Sequence, residues 1–213
     1  MADSFMTLAK TGEGYYESKK SKFYGICRSV ASKEEAQEFL SYARNRWKDA
    51  SHYVLAYTLR NGTAQASDDG EPSGTAGKPM LDCLERQKIT DAAVIVVRYF
   101  GGTLLGTGGL VRAYSSCAQD AVNNAGRAVM TEADLVLIEC EYSMLKPIQL
   151  FVRDTGSKEN RIEYTDKVNL EIWCRSEKTD GIISRITDLT GGKAEFLMLE
   201  HVYKPETFFG AEK

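Results

Sequence analysis

The residues best equipped for chemistry fall in two stretches. SDDGEPSGTAGKP covers residues 67–79, and RYFGGTLLGTGGLVRAY covers residues 98–114. Each is a polar or glycine-rich loop that feeds a helix start. Glycine has no Cβ, so such loops can take positive φ and turn successive N–H groups inward. A helix start adds partial positive charge. Together these features suit an anion, held at Gly101, Gly102, Thr107, Gly108 and Gly109, with Lys78, Arg98 and Arg112 as countercharges. The same glycines would also serve simply to turn the chain between a buried strand and a helix. The special role of the loop predicts that Gly101 or Gly102, and one of Gly108 and Gly109, has positive φ or lies against neighbouring backbone.

Lys22, Asp68, Asp69, Glu71, Ser73 and Thr75 are candidate loop contacts around this surface. Arg98 has a second use, pairing with Asp68, Asp69 or Glu71 to hold the loop. Three clustered acids could take a divalent cation through oxygen, but a solvated turn with Asp at its start accounts for them as well, and no metal is assigned. Lys19, Lys20 and Lys22 beside Phe23 and Tyr24 form a small basic-aromatic cluster. It reads either as a nucleic-acid contact or as a strand edge guarded by lysines.

Nucleotide motifs fail on inspection. Gly77-Lys78 is followed by Pro79, and Pro72 stands where a P-loop needs its first glycine. GTGGLV lacks the G-x-G-x-x-G spacing. His52, in a strand pattern, and His201, near the C-terminal strand, are the two histidines. No paired nucleophile and base is evident, so no catalytic residue and no cofactor are assigned.

The elements that must position these residues set the frame. A chain of 213 residues suits one large domain or two smaller ones. Its 43% apolar and 27% charged residues are ordinary globular composition. The longest apolar run, Ala92 to Val97, is too short to cross a bilayer, and MADSFMTLAK shows no basic segment leading into an apolar one. Five cysteines without a CxxC fit reduced thiols in a cytoplasmic protein. Residues 1–131 carry 16 Lys and Arg against 14 Asp and Glu, a net of +2; residues 132–213 carry 11 against 16, a net of −5. Neither half is a polycation, which argues against tight non-specific DNA binding.

In the first half, residues 14–30 read as extended strand. Ser32 and Glu35 make a capping box before a helical face of Ala36, Phe39, Leu40, Ala43 and Trp47. Tyr53, Leu55, Tyr57 and Leu59 alternate as a strand, and a polar loop runs from Asn61 to Gly77. Pro79 opens a short helix to about Gln87. Ala92 to Val97 reads as a strand buried on both faces. A long amphipathic helix follows from Leu110 to Ala125, with Gly126 at its end.

In the second half, Val136, Ile138, Cys140 and Tyr142 alternate, and Pro147 suits a first helical turn. Ile162 and Tyr164 mark a strand, Asp166-Lys167 a tight turn, and Val168 to Cys174 another strand. A helical stripe from Ile182 to Leu189 ends at Gly191-Gly192, and a last strand follows Ala194. The order is β-α-β-β-α-β, a ferredoxin-like unit.

ESKKSKF at 17–23, SDDGEPSGTAGKPML at 67–81 and VVRYFGGTLLGTGGLVRAY at 96–114 resemble the signature of the IMPACT/YigZ family. The resemblance spans most of residues 12–128, and the remainder resembles the family's bacterial C-terminal domain. It implies an α+β protein of two α/β sandwich domains, 1–131 and 132–213. These resemble domains IV and V of elongation factor G, the second being ferredoxin-like. Eukaryotic members resemble translation regulators of the amino-acid starvation response, which compete for an activator of an initiation-factor kinase through an added RWD domain. The stretch before residue 12 has no room for that domain. The resemblance thus implies a cytoplasmic, non-catalytic protein linked to translation. Its expected partners are RNA, the ribosome or a translation-control protein, and no membrane. The alternative is an enzyme or sensor that holds a small phosphorylated ligand at the same loops.

Overall fold

The computed structural model describes residues 4–210; the first three residues of MADSFMTLAK and the last three of the chain lie outside the described residues. The chain divides into two compact units. One is Met6–Ala128, and the other takes the chain from Val129 on and adds Ser4 and Phe5. The division falls a few residues before the expected boundary at 131/132.

β1 (Ser4–Leu8) straddles the division. The first unit then runs β2 (Gly12–Ser18), β3 (Ser21–Ser29), α1 (Lys33–Arg46), β4 (His52–Thr58), β5 (Ala64–Ser67), α2 (Gly77–Arg86), β6 (Ala92–Tyr99) and α3 (Thr107–Ala125). Five strands form an antiparallel sheet in the order β2-β3-β6-β4-β5. The central strand β6 is buried from Ala92 to Arg98, as its unbroken apolar run requires. Period-two alternation sends Val94 and Val96 into a core with α2 and α3, and Ile95 and Val97 into a second core with α1.

α1 starts where the capping box places it. Ser32 Oγ accepts from the Glu35 N–H at 3.2 Å, and the Glu35 carboxylate reaches back to the Ala31 N–H at 2.8 Å. α3 ends at Gly126, whose φ of 67° suits glycine. Two local expectations need correction. The 61–77 segment is not all loop, because Ala64–Ser67 pairs with β4 as a fully exposed edge strand. Its polar composition hid it, since an exposed edge shows no buried face. Residues 14–30 form a hairpin rather than one strand. Ser18 faces Ser21, so Lys19 and Lys20 alone make the turn, with φ of 46° and 65°. Such two-residue turns favour Asn or Gly, and lysine in this region costs about 1–3 kcal/mol per residue.

β7 (Arg127–Cys140) leads into the second unit, followed by α4 (Tyr142–Asp154), β8 (Lys158–Tyr164), β9 (Val168–Arg175), α5 (Ser176–Thr190), β10 (Glu195–Pro205) and a short 3-10 helix, Glu206–Phe208. β10 pairs β7, β7 pairs β9 and β9 pairs β8, all antiparallel, and β1 also pairs β7. This is the ferredoxin-like sheet. α4 and α5 cover one face through Ile148, Val152, Ile182 and Ile186. Pro147 lies inside α4 rather than in its first turn. The helix starts earlier than expected because Tyr142 belongs to it and not to the strand. No described helix is long and apolar enough to cross a membrane.

Candidate functional site

The 67–77 loop is tied down by its own acids, each with a different partner. The Asp68 carboxylate accepts from the N–H groups of Gly74, Ala76 and Gly77 at 2.8, 3.0 and 2.8 Å. Burial opposes ionisation of Asp68, but these three backbone bonds outweigh it and hold its carboxyl below the ordinary value. The start of α2 therefore already holds an anion supplied by the chain. Asp69 accepts from the Tyr53 N–H at 2.6 Å and pairs with Arg44 at 3.3 Å. Thr75 donates its hydroxyl to the Pro72 carbonyl, and Ser73 is exposed.

Glu71 goes inward. Its Oε1 accepts from Arg98 Nη1 at 2.6 Å and from the Tyr114 hydroxyl at 2.7 Å. His52 Nδ1 donates to the Asp69 carbonyl at 2.7 Å, which leaves Nε2 facing Glu71 Oε1 at 3.8 Å. Burial first, and the Glu71 carboxylate second, push the Tyr114 hydroxyl far up, so it stays a donor. Arg98 and Glu71 are 5% and 8% exposed. The Arg98 guanidinium lies 5.5 and 5.4 Å from the ring centres of Phe23 and Phe100, and its Nε is buried without a hydrogen-bond partner. The two glycine-bearing stretches thus meet at Glu71, through a buried ion pair that holds the loop. Lys78 stands apart from them. It is exposed and bridged to Asp82 at 2.6 Å, with Glu85 at 3.8 Å.

The second loop packs on the lysine hairpin. A Cβ on Gly101 would come within 2.1 Å of the Lys20 carbonyl carbon, so only glycine fits there. Its N–H donates to Ser21 Oγ at 3.0 Å, and Lys19 Nζ donates to the Leu104 carbonyl at 3.3 Å. Gly102 has φ of 82° and faces open space. The glycine expectation is met at 101 and 102 and fails at 108 and 109. Neither of the latter has positive φ, and a Cβ on Gly109 would meet only the Leu105 side chain. The turn instead uses Gly106, with φ of 74°, and Thr107, Gly108 and Gly109 are already helical. No side chain caps α3, and Arg112 one turn on is exposed and in no ion pair among the described residues.

On the opposite face of the sheet lies an open groove of ≈ 580 Å³, lined by Lys20, Lys22, Tyr24, Trp47 and Tyr99. β3 supplies Lys22 and Tyr24, the end of β6 supplies Tyr99 opposite Lys22, and the residue that ends α1 is Trp47. Tyr24 and Trp47 are near parallel at 25°, with ring centres 6.2 Å apart, and Tyr99 meets Tyr24 edge-on at 6.0 Å. Tyr99 and Trp47 are missing from the sequence-based set, since Trp47 reads only as part of a core stripe. The basic-aromatic cluster of Lys19, Lys20 and Lys22 beside Phe23 and Tyr24 is the sequence feature that falls at this groove.

An antiparallel sheet with helices on both faces, bearing a glycine loop clamped to a basic hairpin and followed by a ferredoxin-like unit, defines a two-domain α+β protein. Residues 19–122 match the Impact N-terminal domain, and residues 138–193 match a domain of unknown function, DUF1949. IMPACT family member YvyE of Bacillus subtilis is 32% identical over 205 residues, covering 95% of this chain and 94% of that one. IMPACT family member YigZ of Escherichia coli is 34% identical over 192 residues, covering 86% and 92%. A crystal structure of a hypothetical protein aligns with a TM-score of 0.63 at 30% identity, covering 94% of this chain and 99% of the other. This chain belongs to the IMPACT family.

Proposed function

We propose that this protein is a non-catalytic, translation-linked regulator that binds RNA or the ribosome through the glycine loop of its first unit. The observation that carries this reading is the clamp of the 101–106 loop on the Lys19–Lys20 turn. It joins the basic hairpin to the uncapped start of α3 and to Arg112, so lysine charge and unshielded backbone N–H groups share one surface. Phosphate groups are the natural complement of such a surface. The net charge of +2 on residues 1–131 makes the attraction local rather than global. Lys78 and Arg98 contribute little to it here, being held by acids of the same chain.

The test is a titration of labelled single-stranded RNA and of ribosomal subunits at several salt concentrations, read by anisotropy and sedimentation. Wild type should bind with a steep salt dependence, and a Lys19→Ala/Arg112→Ala variant should bind more weakly with a shallower slope. Absence of binding at low salt would sink the reading. Saturable, salt-insensitive binding of inorganic phosphate in its place would move the assignment to a small phosphorylated ligand.

A further inference from the structure

The groove behind the glycine loop has a chemistry of its own. Three aromatic rings and two lysines converge on it, and neither Lys20 nor Lys22 is in an ion pair among the described residues. Glu17, opposite Lys22 in the hairpin, instead accepts from the Tyr15 hydroxyl at 2.6 Å. The walls are held before any ligand arrives. The Tyr53 hydroxyl donates to the Trp47 carbonyl at 2.5 Å, and the Tyr99 hydroxyl donates to the Lys48 carbonyl at 2.8 Å. Arg46 lies 4.3 Å from the centre of the Trp47 ring and is itself gripped by Glu13 at 2.6 and 2.9 Å. Its volume is in the range of sites for small flat ligands, roughly 300–1,000 Å³.

We propose that this groove takes unpaired nucleotides of a single-stranded RNA, with a base against the Tyr24, Trp47 and Tyr99 rings and phosphates toward Lys20 and Lys22. The inference rests on the RNA reading above and adds where the bases go. Rings reward a ligand with a flat π face, and lysines reward one with anionic groups. A nucleotide carries both. A duplex hides its base faces, so the ligand is single-stranded. An acidic peptide would satisfy the lysines but leave the rings without a flat partner.

Trp47 and Trp173 are the two tryptophans, and Trp173 is in the other unit. A full-length Trp173→Phe variant therefore makes Trp47 the sole reporter, with its melting curve recorded to confirm the fold. Titration with a single-stranded oligouridylate should quench Trp47 emission to saturation, while a duplex RNA of equal length or a poly-glutamate peptide should not. Tyr24→Leu should weaken binding about tenfold. Lys20→Ala/Lys22→Ala changes only exposed side chains and should lower the slope of log affinity against log salt by about 1.4. If the oligouridylate binds by anisotropy but leaves Trp47 emission and the Lys20→Ala/Lys22→Ala slope unchanged, the groove assignment is overturned and the loop-surface reading stands. Equal quenching by duplex or poly-glutamate also overturns it. No binding by anisotropy at low salt overturns both.

Discussion

Arg98 and Tyr99 are consecutive in β6 and serve opposite faces of the sheet. Arg98 closes on Glu71 at 2.6 Å in the buried layer beneath α3, while Tyr99 lines the lysine groove on the α1 side. One strand end thus anchors a loop with one residue and shapes an open surface with the next. The period of two in a strand makes this division without any extra chain.

Breaking the buried pair from one side should be severe. Glu71→Gln leaves the Arg98 charge buried without a counterion and should cost about 3–5 kcal/mol. Chemical denaturation reads it as a fall in midpoint. Replacing the pair together with the hydroxyl that it satisfies, as Glu71→Leu/Arg98→Met/Tyr114→Phe, should recover most of that loss. An unchanged midpoint for Glu71→Gln would show that the pair does not hold the loop.

Gly101 in the loop and Gly108 in the first turn of α3 should respond in opposite directions. Gly101→Ala drives a Cβ into the Lys20 backbone and should cost about 1–3 kcal/mol. Gly108→Ala enters open space at a helical position and should be neutral or stabilise by about 0.4–1 kcal/mol. Thermal melts of the two variants side by side decide the point. Equal tolerance would disprove the close approach at Gly101.

Asp68 makes part of the stability depend on acid pH. Its carboxyl is held down in the folded chain, so the unfolded chain binds the proton more readily as pH falls. The contribution is complete above the ordinary aspartate value, about 3.9, and disappears as pH drops through the lower folded value. Asp68→Asn should cost about 1–2 kcal/mol at neutral pH. The gap between variant and wild type should close as the solution is acidified below that range. A gap independent of pH would mean the backbone bonds do not depend on the charge.

The ferredoxin-like unit should fold from its own core. Ile138, Ile148, Leu170, Ile172 and Ile186 are fully buried among residues of that unit alone. A fragment beginning at Val129 should therefore melt cooperatively by circular dichroism. A broad, non-cooperative transition would show that β1 or the first unit is required.

Local signals were legible where neighbours in sequence act together. The Ser32–Glu35 box, the buried run of β6, the stripe of α3 and the order of the second half all follow from spacing over a few residues. What stayed hidden depends on tertiary contact. The Lys19–Lys20 turn has no glycine or asparagine to announce it, and it is made tolerable by packing against Gly101. Glu71 lies far from Tyr114 in the chain, so their bond is invisible until the sheet forms. Trp47 belongs to a core stripe by periodicity, yet it sits at the helix end, where the stripe runs past the sheet. Pro147 misled because a favourable first-turn residue is also tolerated deeper in a helix when its neighbours compensate.

The tethering of residues 67–77 changes how that segment will meet other molecules. Its Asp, Gly, Ser and Pro content is what a protease would seek in a linker. Yet Asp68 grips three amides and Glu71 is sunk beneath the helix layer, so the backbone cannot peel away into the extended form that a protease cleft accepts. Digestion of the native chain should spare this segment, despite a composition that reads as a cleavage site.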